Sequence, residues 1–88
     1  MEITEVKVFP IKDNERLKAY ASIVFDDCFV IRDLRVISGP SGLFVAMPSR
    51  RRKDGSFRDS VHPLNIATRM KIEKPVIDLY KEKVAKEP

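Results

Sequence analysis

The sequence has very few of the residues that form disulfides, metal sites and thiol or imidazole catalytic centres. Its 88 residues include one cysteine, one histidine and no tryptophan. A single cysteine excludes a disulfide within the chain and favours a reducing, cytoplasmic environment. Because Cys28 and His62 cannot supply the four ligands of a common zinc site, we expect neither a metal nor a cofactor.

Long apolar runs are also absent. No run approaches the roughly 18 residues that cross a bilayer, and the N-terminal MEITEVKV is unlike a targeting peptide. Hydrophobic residues make up 43% and charged residues 34%, which is typical of a soluble globular protein. We therefore expect one cytoplasmic domain over residues 1–88, with no membrane partner. A chain this small buries only about 60–70% of its unfolded surface, so we also expect a homodimer.

Alternating apolar and polar residues predict β-strands in the first two thirds of the chain. The predicted strands span residues 3–11, 17–25, 28–37, 43–47 and 56–61. In the third strand, Phe29 and Ile31 have the opposite parity to Leu34 and Val36. This slip predicts either a β-bulge near residues 32–33 or a strand covered on both faces, one of them by a partner chain. The run from Leu43 to Met47 does not alternate and predicts burial on both faces or a place at an interface.

After Asn65, a good N-cap residue, the apolar period becomes helical. The helical region is predicted over residues 66–84, and Pro75 within it predicts a kink or two consecutive helices meeting near Lys74. The residues of the predicted apolar stripe are Ile66, Met70, Ile77, Tyr80 and Val84, flanked by Ile72, Val76 and Leu79. The predicted class is α+β: an antiparallel meander of four to five strands followed by this helix, dimerising through the sheet.

The positive charge is concentrated in one short segment. Residues 50–58 contain five basic residues and one acidic residue, whereas the rest of the chain has twelve of each. The basic residues of the segment are Arg50, Arg51, Arg52, Lys53 and Arg58. The whole net charge of +4 therefore lies in this segment, as expected of a protein that binds a polyanion.

A hairpin with a two-residue Asp54-Gly55 loop would place Arg51 opposite Arg58 and Arg52 opposite Phe57. Like charges opposite each other destabilise a sheet, and a negatively charged ligand would relieve that repulsion. We therefore predict that the five basic residues contact nucleic-acid phosphates and that Phe57 stacks on a base or on Arg52. The alternative is a solvated basic segment that prevents edge-to-edge aggregation.

The sequence offers little support for catalysis. A Cys28–His62 dyad is formally conceivable, but we expect Cys28 to be a small buried hydrophobe and His62 to close the hairpin by a hydrogen bond. The adjacent acids Asp26 and Asp27 have turn chemistry. We therefore predict no catalytic residues, no enzymatic activity and no small-molecule substrate.

Four motifs in order resemble the stage V sporulation protein G (SpoVG) family, whose members are also named septation proteins. They are FVIRDLRVI (29–37), GLFVAMPSRR (42–51), GSFRD (55–59) and HPLN (62–65). The resemblance implies a small α+β dimer that binds DNA and RNA as a bacterial regulator of transcription, tied to septation, the cell cycle and sporulation. It also implies nucleic-acid contacts at Arg50, Arg51, Arg52 and Lys53. Pro75 departs from the family pattern.

A different class of function remains open at this point. A division-septum protein could dock a partner strand on an edge of its sheet, without nucleic acid.

Overall fold

A four-stranded antiparallel sheet makes up most of the protein, whose computed structural model describes residues 1–86. The strands are β1 (Ile3–Pro10), β2 (Leu17–Phe25), β3 (Phe29–Gly39) and β4 (Gly42–Ala46), adjacent in sequence order. A separate two-stranded sheet follows, formed by β5 (Ser49–Arg51) and β6 (Phe57–Asp59), and then one helix, α1 (Ile66–Ala85). The predicted α+β class, an antiparallel meander with a C-terminal helix, is confirmed, and the ends of the four meander strands lie within two residues of the predicted ones. Strand β5 was not among the predicted strands, and the predicted strand 56–61 is β6, which pairs with β5 outside the meander.

The parity slip in β3 is a β-bulge, one of the two alternatives that the sequence left open. Ala21 pairs with Leu34 and Ile23 pairs with Ile31, so two residues of β3 lie opposite Ser22 alone. Asp33 absorbs the extra residue with a φ of 63°, a left-handed conformation that aspartate tolerates better than most residues. The bulge returns Ile31 and Leu34 to the face of the sheet that α1 covers.

The core lies between this face of the sheet and α1. Its buried side chains are Val8, Ala19, Ala21, Ile23, Phe25, Leu34, Val36, Val45, Met47, Ile72 and Val76. Strand β4 alternates after all, because Val45 is buried whereas Phe44 is 40% exposed. The prediction that this run is buried on both faces is therefore wrong for the single chain, and the interface alternative stays a prediction.

Helix α1 begins as predicted and continues through its proline. The Asn65 side chain accepts a hydrogen bond from the Thr68 amide at 2.8 Å, so it caps the first turn. One helix includes Pro75, so of the two predicted alternatives the split into two helices does not occur, and the kink stays a prediction. The two buried residues of the helix, Ile72 and Val76, flank Pro75, and their packing offsets the hydrogen bond that proline removes.

The apolar stripe of α1 differs from the predicted one. Ile66 is 77% exposed and Met70 is 63% exposed, so neither packs in the core. Ile77 and Tyr80 of the predicted stripe do pack against the core, partly buried, but the buried residues of the helix are Ile72 and Val76, which were predicted only to flank the stripe. The sequence contained two overlapping apolar stripes, and the wrong one was ranked first because the sheet that selects between them was not known.

The same helix places a charged side chain on each open edge of the sheet. At the β4 edge, the Val45 amide donates to the Glu73 carboxylate at 2.8 Å. At the β1 edge, the Lys83 ammonium donates to the Val8 carbonyl oxygen at 2.8 Å. A negative group thus meets a free N–H and a positive group meets a free C=O. Both contacts engage strand groups that another chain would need for pairing.

Candidate nucleic-acid interface

Strands β5 and β6 form a two-stranded hairpin, here called the basic ribbon (residues 49–59). Its base is closed at Pro48, whose carbonyl oxygen accepts hydrogen bonds from the Ser60 amide at 2.8 Å and the Ser60 hydroxyl at 3.2 Å. Arg35 of β3 donates to the Ser49 hydroxyl at 3.4 Å. The ribbon is therefore tied to the body at its first strand and at the residue after its second.

The tip of the ribbon is an ordered turn. The Arg52 amide donates to the Ser56 carbonyl oxygen at 2.7 Å, and the Gly55 amide donates to the Arg52 carbonyl oxygen at 3.0 Å. Gly55 has a φ of 90°, which explains the need for glycine there. The Ser56 hydroxyl and amide both donate to Asp54 Oδ1, at 2.6 and 2.9 Å, and they hold the pKa of this exposed carboxyl below its ordinary value. These two hydrogen bonds fasten the tip of the ribbon.

The register of the ribbon differs by one residue from the prediction. The loop contains three residues, 53–55, in place of the predicted two, with Gly55 at positive φ as its last residue. Arg50 therefore lies opposite Arg58, and Arg51 lies opposite Phe57. The predicted opposition of like charges is present, but the partner of Arg58 is Arg50 rather than Arg51.

This register distributes the charge over both faces of the ribbon. Opposed residues share a face and neighbours alternate, so Arg50, Arg58 and Arg52 project to one side, and Arg51 projects to the other with Phe57. All residues from Arg50 to Ser60 are exposed. The five predicted basic residues line one depression of about 400 Å³ together with Asp59 and Ser60. The structure thus brings the predicted phosphate contacts together.

Phe57 is not part of that depression. It lies 70% exposed against a neighbouring hollow lined also by Arg58, Asp59 and His62. The predicted pairing with Arg52 is wrong because of the register, and Arg51 takes that place. Among residues 1–86, the cation–π contact is formed by Lys83 over Phe9, at 6.0 Å from the ring centre. Phe57 is therefore an exposed ring on the side of the ribbon away from most of its charge.

The cations of the ribbon have no carboxylate partner within the part of the chain that the structure describes. The ion pairs found there join Lys7 to Glu5, Lys74 to Asp78 and Lys86 to Glu82. Asp59, the acidic residue nearest to the arginines, lies opposite Ser49 instead. The guanidinium groups are consequently open to an external anion.

Cys28 and His62 do not behave as the sequence predicted. Cys28 is exposed in the turn before β3, where its amide donates to the Phe25 carbonyl oxygen at 3.0 Å. His62 is exposed, and its Nδ1 lies 3.1 Å from the carbonyl oxygen of Pro63, while Ser60 closes the ribbon. The predictions of a buried cysteine and of a closing histidine are both wrong. Cys28 lies in an exposed turn, and Ser60 rather than His62 makes the hydrogen bond that closes the ribbon.

The acids of the turn before β3 have the predicted structural role. Asp26 and Asp27 have φ values of 51° and 52°, as required by a tight left-handed turn. Asp26 accepts from the Glu2 amide at 3.0 Å, and the Asp27 amide donates to the Thr4 hydroxyl at 3.0 Å. These bonds fasten the start of β1 to the turn.

Arg35 is the residue of this region that the sequence did not single out. It belongs to a charged position of a predicted strand, and no local pattern shows that the strand ends beside the ribbon. Only the pairing of β3 with β4 brings Arg35 opposite Ala46 and close to Ser49.

The structure defines a class: a small α+β protein with a neutral sheet-and-helix body and an unpaired basic hairpin. Residues 1–82 match the family model described as SpoVG. A "Putative septation protein SpoVG" of Bdellovibrio bacteriovorus is 60% identical over 84 residues, covering 96% of this chain and 77% of that protein. Proteins of the same name from Anaeromyxobacter (strain Fw109-5) and Macrococcus caseolyticus are 56% and 50% identical, covering 98% and 100% of this chain and 88% and 76% of theirs. The chain belongs to the SpoVG family, as its motifs indicated.

Within residues 1–86, no helix is both long enough and apolar enough to cross a bilayer.

Proposed function

We propose that the protein is a non-enzymatic, dimeric bacterial regulator that binds DNA or RNA by contacting phosphates with Arg50, Arg51, Arg52, Lys53 and Arg58. The observation that carries this proposal is the basic ribbon itself, whose residues from Arg50 to Asp59 are exposed and whose cations have no carboxylate partner within residues 1–86. The curated relatives are named for septation, and regulation of that process fits the proposed activity.

The geometry of the ribbon suits a polyanion better than a single small anion. Arginine presents a planar fork of donors that matches phosphate oxygens. Three of these forks lie on one face of the ribbon and one lies on the other, so that successive phosphates of a strand can be contacted together. A two-stranded ribbon also fits a DNA major groove. The repulsion between the opposed Arg50 and Arg58 falls when phosphate neutralises either of them.

The alternative of partner docking on a sheet edge has less support. The Val45 amide on β4 is engaged by Glu73, and the Val8 carbonyl oxygen on β1 is engaged by Lys83. A partner strand would have to displace these contacts before it could pair. A complex that survives both nuclease and high salt would nevertheless favour this alternative.

The test is the salt dependence of binding to a DNA duplex and to an RNA strand. If about four phosphates are neutralised, log K falls with log salt at a slope near −3 to −4. Changing Arg50, Arg51 and Arg52 together to alanine is expected to abolish binding and leave the fold intact. The matched control changes Lys74 and Lys81 of the helix and its C-cap residue Lys86 to alanine, which removes the same charge elsewhere and is expected to bind nearly as well.

Two results would contradict the proposal. A flat salt dependence would exclude phosphate contacts, and equal losses in the ribbon and helix variants would show that only net charge matters. Sedimentation at micromolar concentration checks the dimer separately, since a monomer there would contradict the proposed stoichiometry without affecting the ribbon contacts.

A further inference from the structure

The face of the sheet opposite α1, here called the outer face, is open apart from its β1 margin, where the Lys83 ammonium lies 6.0 Å from the centre of the Phe9 ring. One row of directly paired residues crosses all four strands: Phe9 on β1, Tyr20 on β2, Arg35 on β3 and Ala46 on β4. Paired residues of antiparallel strands project to the same side. Two aromatic rings and a guanidinium group therefore lie side by side in this row.

The rings of this row are open to solvent. Phe9 is 57% exposed and Tyr20 is 46% exposed, and Phe44, which also projects to the outer face, is 40% exposed. Large apolar side chains on a small body are costly to leave in water, so exposed aromatics grouped on one face indicate a ligand. Aromatic rings on an open β-sheet are suited to stacking on unpaired bases.

Part of the outer face forms a depression. Phe9 and Tyr20 line a depression of about 470 Å³, together with Val24, Val30, Lys7 and Arg32. A two-fold contact places the same patch against itself, and two hollows facing each other would leave a void. A convex occupant of base or nucleoside size fits the depression better than a second copy of the chain. Its charged lining residues balance, because Glu5 and Asp33 accompany Lys7 and Arg32 and Lys7 is paired with Glu5 at 3.3 Å, so the depression suits an uncharged base rather than a phosphate.

Arg35 connects this face to the basic ribbon. Arg35 is paired with Tyr20 of β2, and its guanidinium group donates to the hydroxyl of Ser49, the first residue of β5. The next residue of the ribbon is Arg50. A strand whose phosphates lie along the ribbon can therefore continue past Arg35 and place its bases over Tyr20 and Phe9.

We propose that the outer face binds single-stranded nucleic acid, with unpaired bases stacked on Tyr20 and Phe9 and the backbone passing Arg35 towards the ribbon. This inference rests on the proposed function and adds the substrate class: a strand with unpaired bases is bound by ribbon and sheet together, whereas a duplex is bound by the ribbon alone. A duplex keeps its bases stacked on each other and offers none to the rings.

The experiment compares one RNA sequence as a single strand and as a duplex, with the double variant Phe9→Val and Tyr20→Val. Valine favours strands, so the sheet is retained while the rings are lost. Single-strand affinity is expected to fall at least about fivefold, the lower end of what one base–aromatic stack contributes. Duplex affinity is expected to stay unchanged. A 2-aminopurine base in the strand reports stacking directly, because its fluorescence is quenched by wild type and not by the variant.

The matched control is Phe29→Val, which removes a 60% exposed ring from the opposite side of the sheet and is expected to leave binding unchanged. The single variant Tyr20→Phe keeps both rings and is expected to bind the single strand as wild type does. It therefore shows that the ring, and not the hydroxyl group, is required. Equal single-strand binding by wild type and the double variant overturns the inference. Loss of both ligands together with a change in sedimentation also overturns it, because the face is then an interface between copies.

The proposed function fails separately from this inference. If wild type binds neither ligand and the ribbon triple variant behaves identically, the ribbon proposal is wrong and the outer face loses its nucleic acid with it. If the ribbon variant loses both ligands and the double valine variant loses neither, the ribbon proposal holds and the stacking face is wrong.

Discussion

The body and the basic ribbon differ in the surroundings of their side chains, which are packed into a core in the body and exposed to solvent in the ribbon. In the body, the apolar residues of four strands and a helix pack into one core, and charged groups of the helix bond to both sheet edges. In the ribbon, every residue from Arg50 to Ser60 is exposed, and like charges face each other. In the body, helix side chains hydrogen-bond to free backbone groups of the edge strands. In the ribbon, the guanidinium groups have no carboxylate partner among residues 1–86.

This difference separates what folding requires from what a ligand requires. The backbone of the ribbon is held by main-chain bonds at its tip and base, which depend on Gly55, Asp54 and Ser60 rather than on the arginines. The arginine side chains could be exchanged for neutral ones without loss of any of these bonds. The predictions below test that separation.

The largest effect is expected from a cavity in the body. Leu34→Ala removes a fully buried side chain and is expected to lower the free energy of unfolding by about 2–5 kcal/mol. The ribbon triple variant at Arg50, Arg51 and Arg52 is expected to change it by no more than about 0.5 kcal/mol. Urea denaturation measures both. Comparable losses in the two variants would show that the ribbon is part of the folding core.

A smaller effect is expected at the sheet edge. Glu73→Ala leaves the Val45 amide without its partly buried acceptor and is expected to lower the free energy of unfolding by about 1–3 kcal/mol. Glu73→Gln keeps a carbonyl oxygen in place and is expected to lose less than half of that. If alanine and glutamine cost the same, the charge and not the hydrogen bond would be the stabilising feature of this edge.

The smallest effect is expected in the ribbon, and it has the opposite sign. Arg58→Glu places a carboxylate opposite Arg50 and is expected to stabilise the hairpin by about 0.2–1 kcal/mol at low salt. Slower hydrogen exchange of the Arg52 amide measures this gain, with Arg58→Gln as the uncharged comparison. Nucleic-acid affinity is expected to fall at the same time. Faster exchange in the glutamate variant would mean that the opposed arginines do not repel each other.

Much of the body could be predicted from the sequence because its signals are local. The alternation of β2 fixed its buried face, Asn65 marked the helix start, and the parity slip in β3 indicated the bulge. The stripe of α1 could not be chosen, because two stripes overlap along the helix and only the sheet distinguishes them. Likewise, the penalty of Pro75 was judged without the packing of Ile72 and Val76 around it.

The candidate site was predicted in composition but not in register. The run of Arg50 to Lys53 is visible in the sequence as charge, and the structure brings these residues to one depression. Asp54-Gly55 permits either a two-residue or a three-residue loop. The shorter loop would place Arg51 opposite Arg58, and the longer one places Arg50 there. The row of Phe9, Tyr20 and Arg35 joins residues from three strands, so no segment of the sequence contains it.

Helix α1 holds both margins of the sheet at once, through Glu73 on β4 and Lys83 on β1. Detachment of α1 would therefore expose unpaired backbone groups on both edge strands, β1 and β4, at the same time as the apolar face of the sheet. We expect aggregation on mild heating to begin when the helix detaches from the sheet, before the strands separate. Additives that favour helix docking would then preserve the protein in solution even if they leave the sheet unchanged.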